Sequence, residues 1–500
     1  MKKLLFISLI LIGCVKLEEV KPEVHTYKAH DISTPFGKLM QKWDSLGVPA
    51  PAADTLAIKQ VFDDLISSGQ WDHLENFGIQ SLWNKSAALV DWRNTNKVAT
   101  IISDYAGSFI TYKGFDGNGT SMKINSHINY GDGGSHICTQ NSFTKGIYIN
   151  SNETGSTKPE LSCESSSNAG ICTLIQGSAI PKTVIQATNN ASDLNYVPIV
   201  QLYGWQISKR ENATEYWTLK NGQSISRTPR ASASIAIPNQ DIYFLCKNVN
   251  GTLSGCSPRT ISAYFFGDGQ LDEKVVVNIL NKFMLHVNSI PTKMVMVDGN
   301  SLTKQGTWVD RSWRNWAATN QVTDFVQAEV GRTTSEMTAD FPSTLGKIDV
   351  TSYTKQVLFV WELTNSMVAN SNNQYTTYND LVTYLQQARA TFPSTKIIVA
   401  TCLPRGGSTP ITPANRQNPT NLNDTTTLNG MIRVKLVRDG YADLISDIAS
   451  DATIGVDSYG VAGVGERNTV YYGADRTHLT ITGYNYASDN YFYASINSQL

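Results

Sequence analysis

Two rhythms of apolar and polar residues divide the chain. Between about residues 98 and 266, short alternating runs such as "KVATIISDY", "SFITYKGF", "SMKINSHINY", "VPIVQLYGW" and "DIYFLCKNV" are separated by Gly, Asn, Ser and Asp. Alternation with period two buries one face of a strand, and many short strands between turns predict an all-β sandwich or barrel. Ahead of them, "DTLAIKQVFDDLISSG" predicts a helix capped by Asp54 and stopped by Gly69, with Leu56, Phe62, Leu65 and Ile66 as its apolar face. Behind them, "LDEKVVVNILNKFMLHV" predicts a second helix that closes the region near residue 288.

After Pro291 the rhythm changes. The runs "KMVMVDG", "QVLFVWEL" and "KIIVATCL" are almost continuously apolar, and helical segments such as "YNDLVTYLQQARATF" separate them. Strands of that kind lie in a parallel sheet covered on both faces, which predicts a three-layer α/β/α domain. Ligands in such sheets gather outside the carboxyl ends of the strands. Two polar clusters fall there: Asp298-Gly299-Asn300-Ser301 after the first run, and Thr364-Asn365-Ser366 after the second.

A serine at a strand end becomes a nucleophile only with a base in hydrogen-bond reach, a group to orient that base, and donors for the developing oxyanion. Of seven histidines, only His286 and His478 lie near or inside this half. His478 follows Asp475 by three residues in "GADRTHLTITGY". Within one turn, a carboxylate at that spacing reaches the imidazole and sets its tautomer. On its own, D-x-x-H is more often a surface turn. Beside a strand-end serine in a parallel-sheet domain it gains meaning.

Composition narrows the partners. Five hundred residues with 41% apolar and 17% charged side chains describe a globular chain of roughly two to four domains. A net charge of -1 without a basic stripe gives no reason to expect nucleic acid. No CxxC pair or His/Cys cluster has zinc-ligand spacing, so neither metal nor other cofactor is expected. "MKKLLFISLILIGC" joins two lysines to an apolar run too short to span a bilayer, the form of a signal peptide. Leu11-Ile12-Gly13-Cys14 resembles the bacterial lipobox, which implies an exported protein lipidated at Cys14 and held to the membrane by that anchor alone. Residues 15–35 then form a polar tether. Of the six other cysteines, Cys163 with Cys172 and Cys246 with Cys256 are close enough in sequence for disulfides, while Cys138 and Cys402 have no evident partner.

Two resemblances add to this reading. "ALVDWRN", "GFDGNGTSMKINS", "IYFLCKNVNG" and "ISAYFFGDGQLDEKVVVNIL" resemble laminin-G-like, concanavalin-type jelly rolls, which places such a domain with its helical lead-in at residues 36–288. That fold often binds glycans, and Trp205, Tyr203 and Tyr216 are either sugar-stacking aromatics or core and rim residues. Residues 289–500 resemble the SGNH, or GDSL-type, hydrolases. The matching blocks are Gly299-Asn300-Ser301-Leu302, then Gly331 in "AEVGRTTSEM", Leu363-Thr364-Asn365-Ser366, and Asp475-Arg476-Thr477-His478. The ordered set is specific where any single block is not.

The second resemblance implies Ser301 as nucleophile, His478 as general base and acid, and Asp475 as its orienting carboxylate. It implies an oxyanion hole made of the Ser301 and Gly331 backbone N–H groups and the Asn365 amide. Three departures stand out. Asn300 replaces an aspartate beside the serine. Leu363 replaces a glycine and adds bulk expected to narrow the acyl pocket. Ser366 replaces an aspartate and is expected to weaken the support of its loop. The two resemblances together imply an exported esterase that deacylates carbohydrate. A phage tail protein with a glycan-binding sandwich and an SGNH deacetylase domain, and a lipase or lysophospholipase, stay open as alternatives.

Overall fold

The computed structural model describes residues 30–151, 158–166, 169–176, 182–189, 203–224, 229–304, 308, 313–408, 410–413 and 423–500. Cys14 and most of the tether lie outside the described residues.

Helix α1 (Pro35–Ser45) is capped by Thr34, whose side chain accepts from the Gly37 N–H. Helix α2 (Ala52–Ser67) begins two residues before the expected start, and Pro51 stands at its cap. Asp54 instead accepts from the Tyr112 hydroxyl, at 3.0 Å. The expected apolar face is corrected as well. Leu56 is 74% exposed and Ile66 49% exposed, whereas Ile58, Val61, Phe62 and Leu65 are buried. Those four positions follow the i, i+3, i+4, i+7 stripe of a helix more closely.

The alternating runs, apart from residues 197–202 of "VPIVQLYGW", which lie outside the described residues, form two largely antiparallel sheets. The first runs through Phe109–Ile110, Gly114–Asp116, Thr260–Gly267, Phe143–Ile149, Gly204–Arg210, Glu215–Lys220 and Gln223–Ser224, with Leu74–Ile79 paired to Thr260–Gly267. The second includes Thr100–Ser103, Lys123–Asn125, Tyr243–Phe244, Pro159–Ser166, Cys246–Val249 and Thr252–Cys256. The run "DIYFLCKNV" is split because Leu245 adopts φ +61, a turn inside the apolar stretch. Phe244 of one sheet packs on Tyr264 of the other, ring centres 4.8 Å apart.

The cysteine expectation is only half met by the register. Cys246 lies opposite Cys256, yet both are free thiols, and Cys246 Sγ donates to the Ser254 carbonyl. Cys163 lies opposite Ile171, with Cys172 opposite Ser162, so the other two are out of register. Cys163 is also a free, buried thiol.

Helix α3 (Glu273–His286), capped by Asp272, joins the two halves. Its Asn281 accepts from Trp205 Nε1 at 2.9 Å and donates to the Tyr353 hydroxyl at 3.4 Å. Lys282 pairs with Asp349 at 2.8 Å. One apolar cluster therefore runs unbroken past residue 288, from the antiparallel sheets through α3 onto one face of the next sheet.

That sheet is parallel throughout. Its strands are β1 (Lys293–Gly299), β2 (Val322–Ala328), β3 (Lys355–Trp361), β4 (Lys396–Ala400) and β5 (Leu444–Ser446), in the order β2-β1-β3-β4-β5. Met294, Met296, Leu358, Val360, Ile397 and Val399 face α3 and the rest of the first cluster. Val295, Val297, Phe359, Trp361 and Ile398 face a second cluster with Trp308, Trp313 and Phe492. Both faces are covered, which is why these strands read as continuous apolar runs. Strand order reverses between β1 and β3, and the crevice above that point is where such a sheet binds ligands.

Candidate active site

Strand β1 ends at Gly299, where nothing larger fits. A Cβ there would lie 2.2 Å from Thr303 Oγ1 and 2.3 Å from the Trp361 carbonyl. The chain turns at once into a short helix, α4 (Ser301–Lys304). Asn300 Oδ1 accepts from the Leu302 N–H at 2.8 Å, and Thr303 Oγ1 donates to the Trp361 carbonyl at 2.6 Å. Ser301 is the first residue of α4, so its N–H has no carbonyl to bond within the helix.

His478 arrives from 177 residues away, on a tight hairpin whose strands meet at Tyr472 and Leu479. Asp475 Oδ1 accepts from the Thr477 and His478 N–H groups at 3.0 and 3.1 Å, which folds the turn around the carboxylate. Its other oxygen, Oδ2, accepts from His478 Nδ1 at 2.6 Å. With the proton so placed on Nδ1, Nε2 is left to accept from Ser301 Oγ, 2.8 Å away. Partial burial would raise the Asp475 carboxyl, but the bonds from His478 and the two backbone N–H groups outweigh it and hold the carboxyl below its usual range. Serine, imidazole and carboxylate are joined by consecutive hydrogen bonds just past the end of β1, beside the β1/β3 switch point.

The oxyanion candidates lie on the same rim. Gly331, at the turn after β2, is exposed and has φ +79, a conformation that favours glycine. Its neighbour Arg332 turns inward, and Nη1 donates to Asp298 Oδ1 and to the Gln327 carbonyl, both at 2.6 Å. Asp298 also accepts from the Tyr384 hydroxyl at 2.7 Å. Burial pushes the Asp298 carboxyl up to about 6, against the opposing pull of Arg332 and Tyr384. This pair ties the Gly331 turn to the end of β1. Thr333 and Glu336 then form a capping box that starts helix α5 (Thr334–Asp340).

Asn365 sits in the first turn of helix α6 (Thr364–Ala369), directly after β3. One amide hydrogen goes to the Arg332 carbonyl, 3.2 Å from Nδ2. That bond holds the Asn365 side chain against the Gly331–Arg332 turn. His286, the second histidine of this half by sequence, takes no part, since its Nε2 meets Asp54 Oδ1 at 3.2 Å.

Two expectations are corrected here. Leu363 adopts φ +66, where glycine is the easy choice, but its side chain is buried in the core shared with α3. It adds no bulk to the open side of the site. Ser366 does not weaken its loop, because its hydroxyl bonds Glu362 at 2.5 Å and Thr334 Oγ1 at 2.9 Å. Glu362 escaped the sequence reading. The signal was present: a lone carboxylate in "VLFVWEL" is an ionisable group in a run that must be buried.

Among the described residues, no cluster of His, Cys, Asp and Glu could hold a metal ion, and no helix is long and apolar enough to cross a membrane. No family model and no curated protein matches the chain. Among solved structures it is similar to a family 3 carbohydrate esterase of Clostridium thermocellum, at 14% identity over 41% of this chain and 96% of the other, with a TM-score of 0.29. It is similar to the esterase EstA of Pseudoalteromonas sp., at 12% identity over 41% and 97%, with a TM-score of 0.29. It is also similar to a variant of Trypanosoma rangeli sialidase, at 10% identity over 50% and 38%, with a TM-score of 0.33. Likenesses this weak decide neither fold nor activity. The site's own geometry carries the reading.

Proposed function

We propose that the protein is a serine hydrolase of carboxylic esters. The observation that carries this is the unbroken line from Ser301 Oγ through His478 to Asp475 at the switch point of a parallel sheet. As an ester enters, His478 Nε2 takes the Ser301 proton while Oγ bonds the carbonyl carbon. The oxygen that becomes anionic meets the N–H groups of Ser301 and Gly331 and the free N–H of Asn365. Collapse of the tetrahedral adduct breaks the bond to the alcohol, which leaves with the proton from His478. Water, deprotonated by the same nitrogen, then releases the acid and restores Ser301. Asp475 stabilises the imidazolium in both halves without touching substrate.

The proposed substrate is an acylated carbohydrate, on the resemblance of residues 36–288 to glycan-binding sandwiches. The aromatic candidates give no support to that half. Trp205 and Tyr216 are fully buried, and Tyr203 packs on Tyr148. A sugar-binding face would use other side chains. Export and a lipid anchor at Cys14 belong to the same proposal. Unchanged membrane fractionation of Cys14→Ala would remove the anchor from it.

The central test is covalent. A serine-directed organophosphonate should add its mass at Ser301 and abolish hydrolysis of p-nitrophenyl acetate. Acetylated polysaccharide and long-chain esters, assayed alongside, separate the carbohydrate reading from a lipase. Labelling at another residue, or hydrolysis that survives stoichiometric labelling, overturns the assignment.

A further inference from the structure

We infer that Glu362 is the positioning residue for the oxyanion side of this site: one buried carboxylate ties together the three chain segments that carry the oxyanion donors. The inference rests on the proposed ester hydrolysis. Glu362 lies between the end of β3 and Asn365 and is 1% exposed. Its Oε1 accepts from Asn300 Nδ2 at 3.1 Å, from the Asn365 N–H at 2.9 Å and from the Ser366 N–H at 3.2 Å. Its Oε2 accepts from Thr334 Oγ1 at 2.7 Å and from Ser366 Oγ at 2.5 Å. Asn300 adjoins the nucleophile, Thr334 opens the helix after the Gly331 turn, and Asn365 is the side-chain donor itself.

Energetics argue that this carboxylate is there for a reason other than stability. No cation pairs with it among the described residues, and burying an ionised carboxylate without one is costly in desolvation. Burial accordingly pushes its carboxyl upward, while the bonds from Ser366 and Thr334 pull it back. The same carboxylate accounts for two departures from the expected motif. An aspartate at 300 or 366 would set a second acceptor against Glu362, whereas Asn300 and Ser366 each donate to it. Asn300, Glu362 and Ser366 thus form a single unit. It fixes the backbone from which Asn365 reaches toward the Gly331 turn.

The test opposes activity to stability. Glu362→Gln keeps the shape and one acceptor oxygen but removes the buried charge. In the full-length protein its melting temperature should hold or rise. Its kcat on p-nitrophenyl acetate should fall about tenfold or more with KM nearly unchanged, a smaller loss than removal of an oxyanion donor itself. In an Asn365→Ala background the same change should cost less than about twofold, since the group it positions is gone. Full activity in folded Glu362→Gln, loss of kcat and stability together, or additive effects with Asn365→Ala would each overturn the role. Ser301→Ala separates the two levels. If it keeps turnover, Ser301 as nucleophile and this inference both fall. If it is inactive while Glu362→Gln is fully active, only the positioning role falls.

Discussion

Two histidines of this molecule have nearly the same neighbours and opposite prospects. In the antiparallel half, His136 Nδ1 meets Glu75 Oε1 at 2.5 Å and Nε2 meets Asp132 Oδ1 at 2.8 Å. Burial alone would lower its proton affinity, but the two carboxylates overcome burial and hold it above the usual histidine range. A carboxylate faces each nitrogen, so neither nitrogen faces a hydroxyl it could deprotonate. At the parallel-sheet rim, His478 has one carboxylate on Nδ1 and a serine hydroxyl on Nε2. A carboxylate beside a histidine is common in this chain: His30 meets Asp44, and His73 meets Asp268. What makes a base is the partner of the second nitrogen.

The sharpest way to break that comparison is to remove each member. Ser301→Ala and His478→Ala should each lower kcat by about 10⁴-fold or more, and the double variant should be hardly worse than either, because the residues act as one unit. Asp475→Ala should lose less, since it orients the base without contacting substrate. His136→Ala should leave turnover on small esters unchanged, whatever it does to stability. Initial rates on p-nitrophenyl acetate, with circular dichroism to show folding, check all four. A folded Ser301→Ala with near-normal rate would reduce the rim to a turn. An inactive but folded His136→Ala would show that the antiparallel half takes part in the chemistry.

The next effect sharpens the contrast between donors that point inward and donors that point out. In the antiparallel half, one buried pair is closed on itself: Arg259 Nη1 donates to Glu160 Oε1 at 2.6 Å, with both side chains fully buried. At the rim, Asn365 spends one amide hydrogen on the Arg332 carbonyl, and the proposed mechanism gives the other to the oxyanion. Asn365→Ala should therefore lower kcat by about 10²–10³-fold, the usual loss for one oxyanion donor, with a much smaller change in KM. Equal losses in affinity and rate would make Asn365 a substrate-binding group instead.

The contrast also explains what was legible in the chain. Ser301, the polar Thr364-Asn365-Ser366 cluster and the Asp475/His478 turn are short local signals at strand ends or in a tight turn, whereas Gly331 and the role given to Asn365 came only through the resemblance to SGNH hydrolases. The parallel sheet was legible because burial on both faces leaves runs such as "VLFVW" without polar interruptions. Glu362 and the Asp298–Arg332 pair were not, because their meaning lies in partners 28 to 62 residues away. The face of α2 was misread for a similar reason. Leu56 and Ile66 are as apolar as Ile58 and Val61, and the packing of α2 on α3 and of Phe62 on Phe36, Phe77 and Trp92 decides which stripe is covered. The continuity of the core past residue 288 was likewise invisible, since α3 presents apolar side chains in both directions.

The smallest effect tests Leu363, the position where rim and core compete for one side chain. Its φ of +66 strains the backbone by about 1–2 kcal/mol for a bulky residue, which a glycine would relieve. Its side chain, 1% exposed, is part of the shared apolar cluster, and removing such a leucine costs about 2–5 kcal/mol. Leu363→Gly should therefore be less stable by about 2–4 kcal/mol, once the extra freedom of the unfolded glycine is included. Its kcat on acetyl and butyryl esters should stay within about threefold of the parent, because no contact to the transition state is lost. Denaturant melts and a chain-length series of esters measure the two quantities separately. A variant with unchanged stability and a clear shift toward longer acyl groups would place the Leu363 side chain in the acyl pocket, contrary to its burial against the core.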